Sequence, residues 1–210
     1  MSCVSRITLG AFALVVCLTL LGCHCVSRGE TQSINVQLET CIDETGITLH
    51  REYYSFRGVK VPHGRTTESK GAIVVHEEFF LHGARHGTST FYFDSGLPAF
   101  QTTFEQGVES GMRLRWNSSG ILTMAENLRL GKREGMSFRW SDNGAISEEC
   151  SYRDDKLNGT LIAWHSKPAA LPWYIKEYQD GVQNGYERWW DESGKLISEQ
   201  LFVNGKVVEE

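Results

Sequence analysis

No segment of this 210-residue chain sustains a helical period of apolar residues, which excludes a helical bundle. Positive charge is also short. The 21 Lys and Arg stand against 26 Asp and Glu, a net of -5 with His neutral, and no basic stripe could neutralise a row of phosphates, so nucleic acid is excluded as a partner. Arg113, Arg115, Arg129, Lys132, Arg133 and Arg139 do gather near the middle, but the solvated faces of neighbouring strands explain them. Catalytic signatures are missing as well: there is no Gly-x-Ser-x-Gly elbow and no phosphate loop. Glu77-Glu78 and Glu148-Glu149 are adjacent carboxylates, and adjacent strand residues point to opposite faces, so neither pair is an acid and base dyad. No catalytic residue, metal or cofactor is assigned. His82 and His86 are four apart but flank turn glycines, where that spacing does not give one face. Long apolar runs are limited to Ile7–Leu21, 15 uncharged residues, too short for a comfortable helical membrane span.

What that run does suggest is export. One positive side chain, Arg6, precedes it, the arrangement of a secretory signal. Leu20-Leu21-Gly22-Cys23 follows and resembles a bacterial lipobox, in which the Cys is acylated before cleavage. Residues 1–22 then read as a lipoprotein signal peptide, and Cys23 as the lipid-bearing residue that attaches the protein to a membrane. His24 stands where an Asp would retain a Gram-negative lipoprotein at the inner membrane, so the resemblance favours the periplasmic face of the outer membrane. Losing Arg6 leaves 20 basic against 26 acidic residues, a net of -6. Residues 23–33 are read as a tether.

The remainder is organised by a repeat. An opening Gly stands at Gly83, Gly107, Gly131, Gly181 and Gly205, with Asp155 in the one vacancy. A second Gly follows at Gly87, Gly111, Gly135, Gly159 and Gly185, then an aromatic at Tyr92, Trp116, Trp140, Trp164 and Trp190. A third Gly comes at Gly96, Gly120, Gly144 and Gly194, and a bulky residue closes each unit at Phe104, Leu128, Tyr152, Tyr178 and Phe202. The period is about 24 residues, and the one longer interval falls in the Pro-containing stretch around Pro168, where insertion is tolerated. A period in this range signals a repeat architecture.

Within a unit the pattern is that of a hairpin. Met112, Leu114 and Trp116 alternate with Arg113 and Arg115, and Met136, Phe138 and Trp140 alternate with Ser137 and Arg139, so each strand has one apolar and one polar face. Asn117-Ser118-Ser119-Gly120 and its equivalents are turn chemistry. A lone hairpin is marginal in water, so neighbours must pair side by side. The expected fold is all-β: an elongated antiparallel meander of stacked hairpins, a single-layer twisted sheet of roughly 14 strands, about 60 Å long at ~4.8 Å per strand. Regular repeats are placed at 83–205, degenerate N-terminal hairpins at 34–82 and a tail at 206–210.

Tyr92, Trp116, Trp140, Trp164 and Trp190 are expected to form one buried structural ladder, since they recur at one strand position. Alternation then turns Phe91 and Trp189 to the opposite, solvent face, where they are the candidate binding residues. Cys41 and Cys150 fall on about the first and tenth strands, roughly 43 Å apart, too far for the ~7 Å reach of a disulfide. Cys150 is expected to be an unpaired, packed thiol, with Cys25 and Cys41 as the one possible intramolecular pair.

The paired glycines, aromatic strand, turn glycine and closing Tyr or Phe resemble the bacterial variant of the MORN repeat, well over Gly83–Gly205 and loosely over Ile34–Gly83. Some proteins with such repeats are YwqK-type antitoxins, others are repeat lipoproteins, and eukaryotic relatives are scaffolds for proteins or lipids. The repeat contributes no catalytic residues. The resemblance therefore implies a non-enzymatic protein-interaction scaffold, lipid-anchored in the cell envelope, with a protein or other envelope component as partner. An antitoxin-like component and an envelope glycan- or lipid-binding module are the alternatives. An antitoxin against a cytoplasmic toxin has no need of export, so Cys23 argues against that role.

Overall fold

The computed structural model describes residues 2–7, 34–165 and 171–209; Cys23, Cys25, the tether and most of the leader lie outside them. Among the described residues every regular element is a β-strand, and all strands join one antiparallel sheet. From Gln37–Ile42 through Ile47–Phe56, Val59–Lys70 and Ile73–Leu81 to Leu196–Val203, each strand pairs with its neighbours in sequence. If Ala84–Arg85 is counted with Gly87–Tyr92, and Lys156–Leu157 with Gly159–Trp164, fourteen strands run from Gln37 to Val203, as the repeat predicts. Ser2–Ile7 pairs with the Gln37–Ile42 edge, and Lys206–Val207 closes the last hairpin.

The two ends of the hairpins are built differently. At one end lie two-residue turns whose central residues both have positive φ, such as Leu130-Gly131 (52° and 81°) and Asn204-Gly205 (52° and 78°). These are the type I′ angles that match the twist of the flanking strands, and they account for the opening Gly. Asp155, in the one unit without that Gly, takes φ 68°. Its carboxylate accepts hydrogen bonds from the Arg133 backbone N–H at 3.0 Å and from Arg133 Nε at 3.1 Å. Those bonds hold the Asp155 carboxyl below its usual range and fix an Asp in a conformation that Asp tolerates better than most residues. The same end also joins one hairpin to the next. Gly107, Gly131 and Gly205 donate their N–H groups to the carbonyls of Arg85, Glu109 and Gln183 in the preceding hairpin, at 2.7–2.9 Å. At the other end four-residue loops close on the third Gly. In one of them Asn117 Oδ1 accepts from the N–H groups of Ser119 and Ile121.

The second Gly marks a strand bend. Between the pairs Thr102↔Arg113 and Phe104↔Glu109 the strand Val108–Trp116 carries two more residues than its partner, with Gly111 (φ 103°) in the middle. Gly64, Gly135 and Gly185 occupy the same position in their own units, which is the use of Gly expected at a bulge. On the other edge of the strand each of these glycines stands opposite a closing residue: Gly64↔Phe80, Gly111↔Leu128, Gly135↔Tyr152 and Gly185↔Phe202. The residue before the Gly then reaches the next turn. Glu134, Asn158 and Asn184 accept the N–H groups of Asp154, Asp180 and Asn204 at 3.1–3.2 Å, and His63 Nδ1 accepts that of His82 at 3.3 Å. Burial, and after it the neighbouring His82, hold His63 below the usual histidine value, which keeps that nitrogen an acceptor. The second part of the segment 34–82 therefore follows the regular unit, with a type I′ turn at Arg57-Gly58 (50° and 79°), the bend at Gly64 and Ser69 in place of the aromatic.

Burial corrects one expectation. Among the described residues few large apolar side chains are fully covered: Tyr53 and Leu128 are 3% exposed, and the other buried apolar residues are Ala125, Cys150 and Ala163. Instead a polar line crosses the sheet, Ser89↔Thr102↔Arg113↔Glu126↔Ser137↔Cys150. All of its members except Arg113 are buried, and Glu126 is held by Arg113 Nη1 at 3.3 Å. Cys150 is a buried free thiol whose pKa is pushed up by burial. Trp116, Trp140, Trp164 and Trp190 are only half-buried, and Met112 and Met136 beside them are exposed. The physical reason is the single layer, since among the described residues no second sheet or helix covers the apolar face.

Candidate interaction surfaces

Residues paired directly across an antiparallel ladder lie on one face, so the register separates the two faces without ambiguity. One line reads Phe91↔Phe100↔Arg115↔Met124↔Arg139↔Glu148 and continues through Ala163↔Tyr174↔Trp189↔Ser198. Phe91 and Trp189, far apart in sequence, thus lie in one row, opposite the face of Trp190. The two residues have different surroundings. Phe91 is exposed and stacks on the His76 ring at 3.9 Å and 6°. Trp189 is half-buried and anchored. Its indole N–H donates to Glu187 Oε1 at 2.7 Å, and Lys176 Nζ lies 4.9 Å from its ring and 3.4 Å from Glu187. Burial pushes the Glu187 carboxyl up, but the bonds from Trp189 and Gln183 and the Lys176 charge outweigh it, leaving the group below its ordinary value.

The structure adds a residue that the repeat pattern hid. Six returning strands carry one extra residue just after the loop, at Val75, Ala99, Thr123, Ser147, Trp173 and Ile197. Among these bulge residues Trp173 is the one aromatic. Trp173 is 47% exposed and meets Trp189 edge-on at 5.7 Å and Tyr174 at 5.2 Å, while Tyr174 lies 4.8 Å from Trp189. Three rings thus form one cluster near the C-terminal end of the sheet. Trp173 could have been found by aligning bulge positions across units, but the longer interval around Pro168 shifts its spacing from the third Gly.

Between these ends the charged side chains of the row have local contacts. Arg115 lies over the Phe100 ring at 5.7 Å, and Arg139 meets Glu148 at 3.4 Å. The adjacent carboxylates separate as strand geometry requires. Glu148 shares a row with Arg139, whereas Glu149 stands opposite Phe138 on the other face. Among the described residues no group of three or more His, Cys, Asp or Glu is placed to hold a metal. His82 instead lies against His63, with ring centroids 5.1 Å apart.

Residues 183–204 match the MORN repeat variant family. The matched segment covers most of the strand Val182–Trp190, its four-residue loop and the return strand Leu196–Val203. Most of the hairpins before it repeat its turn angles, bend glycine and closing residue, so the array is built of units like the matched one. A comparison of the whole chain with curated proteins finds no match. MORN repeats are generally protein or membrane interaction modules, and the family is generally non-catalytic.

Proposed function

We propose that this protein is a non-enzymatic interaction scaffold, held at the cell envelope by a lipid on Cys23, that docks a protein partner on the face carrying Trp173, Tyr174 and Trp189. The observation that carries this reading is the cluster itself. Trp and Tyr are among the side chains most enriched at binding hot spots, and a Trp held in place by a hydrogen bond to Glu187 and by ring contacts, as Trp189 is, loses little entropy on binding. A net charge of -6 in the processed chain works against anionic lipid headgroups as the principal ligand, which favours a protein. In a Gram-negative cell the periplasmic face of the outer membrane is the proposed location.

Trp173→Ala combined with Trp189→Ala tests the reading. Affinity capture of crosslinked envelope proteins on the wild-type chain is expected to retain a partner that the double variant binds weaker by about 2 kcal/mol or more. Trp173→Ala alone, which removes the more exposed ring, is expected to weaken capture while leaving the melting temperature nearly unchanged. Undiminished capture by the double variant would contradict the proposal.

A further inference from the structure

The opposite face carries a second surface with a chemistry of its own. Across six strands, from Val108–Trp116 to Pro172–Gln179, its central line runs Leu114↔Ala125↔Phe138↔Glu149↔Ile162↔Ile175. It is flanked on one side by the half-buried Trp116, Trp140 and Trp164 and on the other by Met112 and Met136, which are 46% and 43% exposed. Beyond these strands the line becomes polar, at Thr90 and Gln101 before it and at Arg188 and Glu199 after it. The apolar part spans five strand steps, about 24 Å. One residue is out of character. Glu149 sits between Phe138 and Ile162, and among the described residues no cation or hydrogen-bond donor reaches its carboxylate; Arg188, the nearest cation in the line, is already paired with Glu199 at 2.5 Å.

We infer that this Trp–Met face is a docking surface for a peptide segment that is apolar but carries one Lys or Arg positioned to meet Glu149. Any occupant that covers the face takes Glu149 out of water, and a carboxylate covered without a cation is strongly unfavourable. That requirement selects among occupants. A second copy of this chain would bring another Glu149 to the interface with no unpaired cation in its own apolar patch. Hydrocarbon would leave the carboxylate bare. A basic apolar peptide provides both the side chains that fill the spaces around the Trp and Met residues and the charge that Glu149 lacks. Met is suited to such a surface, because its flexible thioether adapts to different apolar partners. The inference does not depend on the Trp173 cluster, which lies on the other face.

The test is selection of displayed 12-residue random peptides on the wild-type chain, followed by titration of the selected peptides against variants. The peptides are expected to contain one Lys or Arg flanked by large apolar residues. They should bind Glu149→Lys and Trp140→Ala about tenfold or more weaker, and changing the peptide's cation to Glu should restore binding to Glu149→Lys. Glu149→Gln, with unchanged melting, separates loss of charge from loss of fold and is expected to weaken the same peptides. Selected peptides without basic residues, or equal binding to Glu149→Lys, would overturn the inference. So would concentration-dependent dimerisation abolished by Met136→Asp, or Met136→Asp-sensitive flotation with phosphatidylcholine vesicles. Unchanged peptide binding in the Trp173 and Trp189 variants keeps this result separate from the proposed function.

Discussion

Gly185→Ala is expected to destabilise the protein by about 2–5 kcal/mol, the largest cost among equivalent glycine changes, because two penalties coincide there. The residue has φ 124°, outside the left-handed well that other side chains can enter, and a Cβ at this position would lie 2.7 Å from Glu177 Cβ and 2.0 Å from Glu177 Oε2. Glu177 cannot simply swing away, since its Oε2 accepts the Tyr186 N–H at 3.1 Å. Gly135 is the internal control. It has the same role in its unit and φ 86°, but a Cβ there would meet nothing within 4 Å, so Gly135→Ala carries only the backbone cost of about 1–2 kcal/mol. Thermal melts of the two variants check the comparison. Equal losses would mean that the close approach to Glu177 does not determine the effect.

Cys23→Ser is expected to abolish lipidation almost completely. Each buried methylene contributes about 0.8 kcal/mol to membrane attachment, so two or three acyl chains on Cys23 would anchor the processed chain firmly. Among the described residues no helix is long and apolar enough to take over by crossing the membrane. Metabolic labelling with a fatty acid should mark the wild-type chain and not the variant, which should accumulate as unprocessed precursor. Equal labelling would contradict lipidation at Cys23.

Period and alternation made the sheet legible in the sequence. The opening Gly, second Gly and closing residue recur together because one takes a type I′ turn, one bends the strand and one stands opposite that bend. The face assignment of Phe91 and Trp189 follows from the same alternation. Burial was less legible. Recurrence of Trp116, Trp140 and Trp164 fixes their common face, but sequence alone does not reveal that none of the described residues forms a second layer over it, so a buried ladder is expected where a half-exposed one is found. Bulges were hidden too, because one extra residue in a returning strand changes no marker in the repeat, and Trp173 went unnoticed for that reason. Glu149 was visible as one of an adjacent pair, but its isolation between Phe138 and Ile162 depends on cross-strand register.

The central claim is that the chain is one open layer of stacked hairpins whose two faces remain available to partners. Single-molecule energy transfer between dyes at Glu44→Cys and Glu199→Cys, with the other cysteines replaced by serine, measures it most directly. Glu44 lies in the first loop of the sheet and Glu199 on its last long strand. An open meander separates them by about 60 Å at ~4.8 Å per strand. A separation below about 30 Å, as closure into a barrel or folding of one half onto the other would give, would contradict the single-layer array.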